Sequence, residues 1–106
     1  MAMYMVRARY THEGLQGVLR EGGTSRRNAI SKLAEELGGR VESLYFAFGD
    51  VDVYCVMEMP DNVTAAAVSM TVSSSGAVSC ELVTLLTPEE VDQTREVTVN
   101  YQPPGS

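Results

Sequence analysis

Two short runs joined by Gly49-Asp50 constrain this chain more than any other feature. Val41 to Phe48 and Val51 to Met59 both alternate, and both are rich in β-branched and aromatic residues. That is the period-two signature of strands. A two-residue connection with glycine first suits a type II′ hairpin turn. Folded on that turn, Phe48 faces Val51, Phe46 faces Val53 and Leu44 faces Cys55. This face is wholly apolar and has to be covered. The other face pairs Ala47 with Asp52, Tyr45 with Tyr54, and Ser43 with Val56.

The flanking sequence supplies the cover. Ala2 to Tyr10 alternates and reads as a first strand. Thr11 to Arg20 reads as a loop, with at most one helical turn at Leu15 to Leu19. Thr24 is placed to cap a helix, in which Ile30, Leu33, Ala34 and Leu37 follow the i, i+3, i+4, i+7 spacing. Gly38-Gly39 ends it. Pro60 closes the second hairpin strand, and Asp61 can cap a helix from about Asn62 to Ser74. The apolar stripe of that helix is Val63, Ala66, Ala67 and Met70, small enough to pack close to a sheet. Ala77 to Leu86 is a fourth strand. Thr87-Pro88-Glu89-Glu90 is a capping box with proline at the first helical position. Val97, Val99 and Tyr101 alternate again, suggesting a last short strand before the tail.

The order β-α-β-β-α-β is the ferredoxin-like, split βαβ pattern of an α+β fold. Right-handed crossovers give a four-stranded antiparallel sheet of order 4-1-3-2, with helices on one face. The expected division is one domain over residues 1–95 and a C-terminal extension over 96–106, able to serve as an edge strand or a strand exchanged with a neighbour. In this order Cys55 and Cys80 lie on strands that flank the first one. Two strand spacings are ~10 Å, beyond the ~7 Å reach of a disulfide, so both cysteines read as small apolar residues.

With 106 residues the chain suits a single core. Its net charge of -6 and pI of about 4.6 argue against a nucleic-acid binder and against an anionic membrane surface. No run approaches the ~20 apolar residues of a membrane span, and the start lacks a signal-peptide layout. A cytoplasmic protein is expected.

A sheet with helices on one side leaves its second face open. Here that face gathers Met3, Met5, Arg7 and Arg9, then Tyr45, Asp52, Tyr54 and Val56, then Ser79, Glu81, Val83 and Leu85. Two tyrosines, two methionines and several aliphatics are unusual against solvent. The sequence therefore points to a homo-oligomer, a dimer or larger, that buries this face against a second copy. The alternative is a monomer whose second face is covered by the chain after Glu89.

Around Gly49-Asp50-Val51-Asp52 the chain resembles the GYD domain family. The resemblance runs from the first strand to Thr87-Pro88-Glu89-Glu90. It rests on YTHEG (Tyr10 to Gly14), LGGRVESLYFAFGDVDVY (Leu37 to Tyr54), MPDNVTAAA (Met59 to Ala67) and LLTPEEVD (Leu85 to Asp92). The family pattern has glycine, a variable residue, an aromatic and aspartate. Gly49 and Asp52 match it, and Val51 stands where the aromatic would be. The resemblance implies a ferredoxin-like fold related to dimeric α+β barrels, in which two sheets pack face to face. It brings no catalytic residues with it.

The residues themselves offer few sites. In EGGTSRR (Glu21 to Arg27), two glycines and a helix start carrying Thr24, Ser25, Arg26 and Arg27 could hold a carboxylate or phosphate. Alternatively the arginines pair with acidic neighbours. His12, the only histidine, sits beside Glu13 in a loop and could act as a base or metal ligand, but no second histidine or thiol cluster accompanies it. Asp50 and Asp52 lack the further oxygens of a calcium loop. Ser73-Ser74-Ser75 lacks a nucleophile elbow. No P-loop or dinucleotide spacing occurs, so no cofactor is indicated.

Tyr45, Tyr54 and Asp52, with Arg7 and Arg9, are the remaining constellation. They could line a cavity between facing sheets, with Asp52 orienting a ligand or serving as base. They could equally be interface packing, with Asp52 held by an arginine or by turn amides. Two functions follow. One is an oligomeric domain binding a small molecule between sheets. The other is a cofactor-independent enzyme, monooxygenase- or cyclase-like, acting on an apolar or aromatic substrate. An RNA-binding sheet is disfavoured by the acidity of the chain and the missing stacking motif.

Overall fold

The computed structural model describes residues 1–105 of the chain. Four strands form one antiparallel sheet: β1 (Ala2–Tyr10), β2 (Arg40–Phe46), β3 (Val53–Met59) and β4 (Val78–Leu85). Their order is β2-β3-β1-β4, as the ferredoxin-like pattern requires. The helices are α1 (His12–Glu21), α2 (Gly23–Glu36), α3 (Asn62–Ser74) and α4 (Pro88–Thr94). The core lies between the sheet and α2 and α3. It is built from alternate strand residues, Tyr4, Ala8, Val53, Cys55, Met57, Met59 and Val78, with Ala34 and Ala65 from the helices.

The hairpin register is the expected one at Ser43↔Val56, Leu44↔Cys55, Tyr45↔Tyr54 and Phe46↔Val53. Beyond those pairs it departs twice. A bulge between Val41 and Ser43 sets Val41 opposite Met57 and Arg40 opposite Glu58. Regular alternation would have aimed Glu42 at the core, and the extra residue lets Val41 go there instead. The connection spans 47–52 rather than two residues, because Phe46 and Val53 end the paired strands. Gly49 is not among the positive-φ glycines, so no type II′ turn forms. Phe48 is fully exposed, and Val51 is buried.

Three further expectations are corrected. Thr11–Arg20 is mostly helix rather than loop. Thr11 caps α1 by accepting from the Gly14 amide, and its own N–H and hydroxyl both donate to the Ala77 carbonyl. Gly14 completes the join, since a Cβ there would sit 1.9 Å from that same oxygen. Thr24 is not a cap: α2 starts at Gly23, and its cap position is Gly22 in a left-handed backbone that glycine adopts without strain. On α3, Ala65, Val68 and Val72 face the core, while Val63, Ala66, Ala67 and Met70 are exposed. The helix carries no charge from Asn62 to Ser74. Periodicity alone therefore does not choose its buried side.

Asp61 caps α3 as expected, accepting the Thr64 amide at 2.8 Å. Tyr4 anchors the same helix end from below, donating its hydroxyl to Asn62 Oδ1. The Thr64 hydrogen bonds hold the Asp61 carboxyl below its ordinary pKa. A depressed folded-state pKa stabilises above the unfolded value of ~3.9, and that contribution is lost as pH falls through the folded one. Asp61→Ala should lower the urea midpoint at pH 6, and the gap to wild type should close below about pH 4. A gap that persists unchanged in acid would refute the capping role.

The capping box of α4 is complete, with Thr87 and Glu90 bonded reciprocally. Every residue from Pro88 to Gly105 is exposed. No strand follows β4 among the described residues, so Val97, Val99 and Tyr101 do not form the expected fifth strand. The molecule measures 56 by 33 by 22 Å.

Candidate functional site

The open face of the sheet is a lattice of registered rows. Arg40, Glu58, Met3 and Leu85 form one row. Ser43, Val56, Met5 and Val83 form the next, followed by Tyr45, Tyr54, Arg7 and Glu81. Two pairs of its charges are compensated within the face. Arg7 bridges to Glu81 at 2.8 Å and Arg40 to Glu58 at 2.8 Å. The Glu81 hydrogen bond, then its charge, hold the Arg7 guanidinium above its ordinary pKa, and Tyr54 adds a smaller pull the same way. Both pairs are solvent-exposed, and exposed pairs add little to stability. Their larger effect is to neutralise the face, on which Tyr45 is 73% exposed and Tyr54 and Val83 each 38% exposed.

Asp52 sits where β3 parts from β2. Its backbone N–H donates to the Ala8 carbonyl at 2.9 Å, and its own carbonyl accepts from Ala47 at 2.7 Å. Its side-chain Oδ2 accepts from the Tyr10 amide at 2.9 Å. The carboxylate thus stands in for a backbone acceptor and extends the β1 ladder by one bond. Arg9 donates Nε to the Asp50 carbonyl. Arg7, Arg9, Val51, Ser79 and Glu81 surround a hollow of about 40 Å³. The face therefore brings together Arg7, Arg9, Tyr45 and Tyr54 as expected, with Asp52 at its margin.

The EGGTSRR group does not gather into one site. Thr24, Ser25 and Arg27 are exposed, while Arg26 is half-buried and turns inward. His12 is the exposed first residue of α1, on a helix rather than in a loop. Among the described residues no three His, Cys, Asp or Glu side chains come together to hold a metal. No helix there is long and apolar enough to cross a membrane.

Arg26 leads to a second hollow that the sequence did not signal. It lies on the opposite, helix-covered side of the sheet, between α2 and α3, and measures about 60 Å³. Its floor includes Ala8, Val53 and Cys55; its walls include Ile30 and Val68; Tyr10, Ser69 and Cys80 also line it. Burial raises the Tyr10 phenol, and the nearby Arg26 guanidinium pulls it back. Burial also pushes the Cys55 thiol up to about 11, and raises Cys80 against opposing pulls from Ser73 and Arg26. Both cysteines are free. Small residues do line it, Ala8 on β1 and Ser69 on α3, but neither marks a void in the sequence.

No curated protein matches the chain, and no solved structure matches it either. The profile of the GYD domain matches residues 4–94, from the third residue of β1 to the last residue of α4. The glycine-to-aspartate stretch that carries the resemblance is the connection whose aspartate closes the β1 ladder. On a match covering most of its length, the chain belongs to the GYD domain family.

Proposed function

We propose that this chain works as an oligomeric binding domain: two copies meet through their open sheet faces and hold a small molecule between them. The observation that carries the reading is the open face itself, an apolar and aromatic surface with paired charges and no cover from α4 or the arm. The chain from Pro88 to Gly105 is exposed throughout, so it does not shield the sheet. Four strands at ~4.8 Å spacing and about seven residues of ~3.3 Å rise give a footprint of roughly 20 by 23 Å. Paired with a second copy, that is roughly 900 Å² of projected area, the size of a weak interface, which a lent arm would enlarge. Arg9, Tyr45 and Tyr54 supply the donors and rings for a ligand lodged between the sheets. The extended arm gives each copy a strand to lend to its neighbour.

Met5 tests the reading, since it pairs with both Val56 and Val83 at the middle of the face. Native mass spectrometry of the wild type should show a dimer or larger species with excess mass that denaturation removes. Met5→Glu should shift it to monomer with an unchanged far-UV circular dichroism spectrum. A wild-type monomer would refute the pairing. An assembly of bare chains would refute the ligand.

A further inference from the structure

The hollow beneath the helices has a composition that specifies an occupant. Among the side chains lining the inner cavity, Arg26 is the only one that is ionised at neutral pH. The other walls are aliphatic, apart from Tyr10, Ser69, Met57 and two thiols. Arg26 makes no ion pair among the described residues, although the chain is acidic overall. It also lines a wider groove of about 640 Å³ that runs past α1, and Tyr10, Val72 and Val78 are shared between the two spaces. Arg26 therefore stands on the boundary between the inner cavity and the outer groove.

We propose that this cavity is a binding site for a short, branched-chain carboxylate, with the alkyl end inside and the carboxylate at Arg26. Size sets the alkyl end. A space of about 60 Å³ corresponds to about two water-sized groups at ~30 Å³ each, room for a short alkyl end and well below the ~150 Å³ of a cavity that holds benzene. Charge sets the head. A guanidinium beside apolar walls, next to the Tyr10 phenol but in no ion pair among the described residues, can take a ligand carboxylate through directed hydrogen bonds. Glu13 and Glu21 line the outer groove together with Arg20. The two carboxylates, only partly offset by Arg20, disfavour a ligand that carries negative charge out past Arg26. The site lies on the opposite side of the sheet from the proposed copy–copy face, so either can fail without the other.

The test is a ¹H–¹⁵N NMR titration with acetate, butanoate and 3-methylbutanoate, and with 3-methylbutan-1-ol as the uncharged match. Affinity should rise about fourfold for each added methylene until the cavity is full. Perturbed amides should cluster at Ala8, Val53, Val68 and Val72. Arg26→Gln should abolish the preference for 3-methylbutanoate over the alcohol. Ser69→Leu, which fills the cavity, should weaken both ligands at least tenfold while the spectrum stays dispersed. Affinity that does not change with chain length would overturn the proposal, as would shifts confined to the open face. So would a carboxylate preference that survives Arg26→Gln.

Discussion

Gly39→Ala is expected to cost about 3 kcal/mol, the upper end of overpacking penalties. A Cβ at this position would lie 2.1 Å from the Glu58 carbonyl oxygen and 2.8 Å from Met59 Sδ. A methionine tail can swing aside, but a carbonyl fixed in a central strand cannot. Glu58 is paired with β2 on one side and β1 on the other. Relief would have to come from moving the end of α2 away from the sheet, which uncovers the core. For a domain of this size the melting temperature should fall by roughly 4–8 °C per kcal/mol. Thermal unfolding followed by circular dichroism measures it, and a loss under about 1 kcal/mol would show that the α2–β2 junction yields more easily than its contacts imply.

Met59→Ala should cost about 2–5 kcal/mol, the usual range for a buried methionine truncated to a methyl. Met59 is 0% exposed and packs in one cluster with Tyr4, Cys55, Met57 and Ala65. Neighbours on a rigid sheet collapse poorly into the space it leaves, which favours the upper half of that range. The two substitutions also test each other. Removing the Met59 thioether relieves one of the two clashes made by a methyl group added at Gly39 and leaves the Glu58 carbonyl in place. The double variant should therefore be less destabilised than the sum of the singles, by a coupling of about 0.5–1 kcal/mol. Chemical denaturation of wild type, both single variants and the double variant measures this. Strict additivity would mean that the Glu58 carbonyl accounts for the whole effect at Gly39.

The sheet was legible because alternation is a short-range signal with a single geometric meaning. Once Phe46 was set opposite Val53, the rows through Tyr45, Tyr54, Met5 and Val83 followed, and the open face with them. What stayed hidden depended on contacts far apart in sequence. The α1 segment has Leu15, Val18 and Leu19 at helical spacing, but Gly14 and Gly17 depress its intrinsic propensity. It forms because Thr11 and Gly14 dock on Ala77, more than sixty residues away. On α3 the absence of charge left two apolar stripes of similar strength, and only the placement of β4 chose between them. Val97, Val99 and Tyr101 carry a strand pattern, yet among the described residues they pair with neither free edge of the sheet, β2 or β4. The inner cavity was invisible for a different reason: a void is the difference between large volumes, and no single residue announces it.

The carboxylate of Asp52 also has a consequence for how such a chain can vary. By taking the place of a backbone acceptor for Tyr10 it ends the ladder cleanly, and the tip at Phe48, Gly49 and Asp50 contributes no main-chain bond between the strands. That tip is a natural splice point. A lineage could lengthen it, shorten it or exchange it wholesale, and the sheet would still close so long as an aspartate stood at the exit.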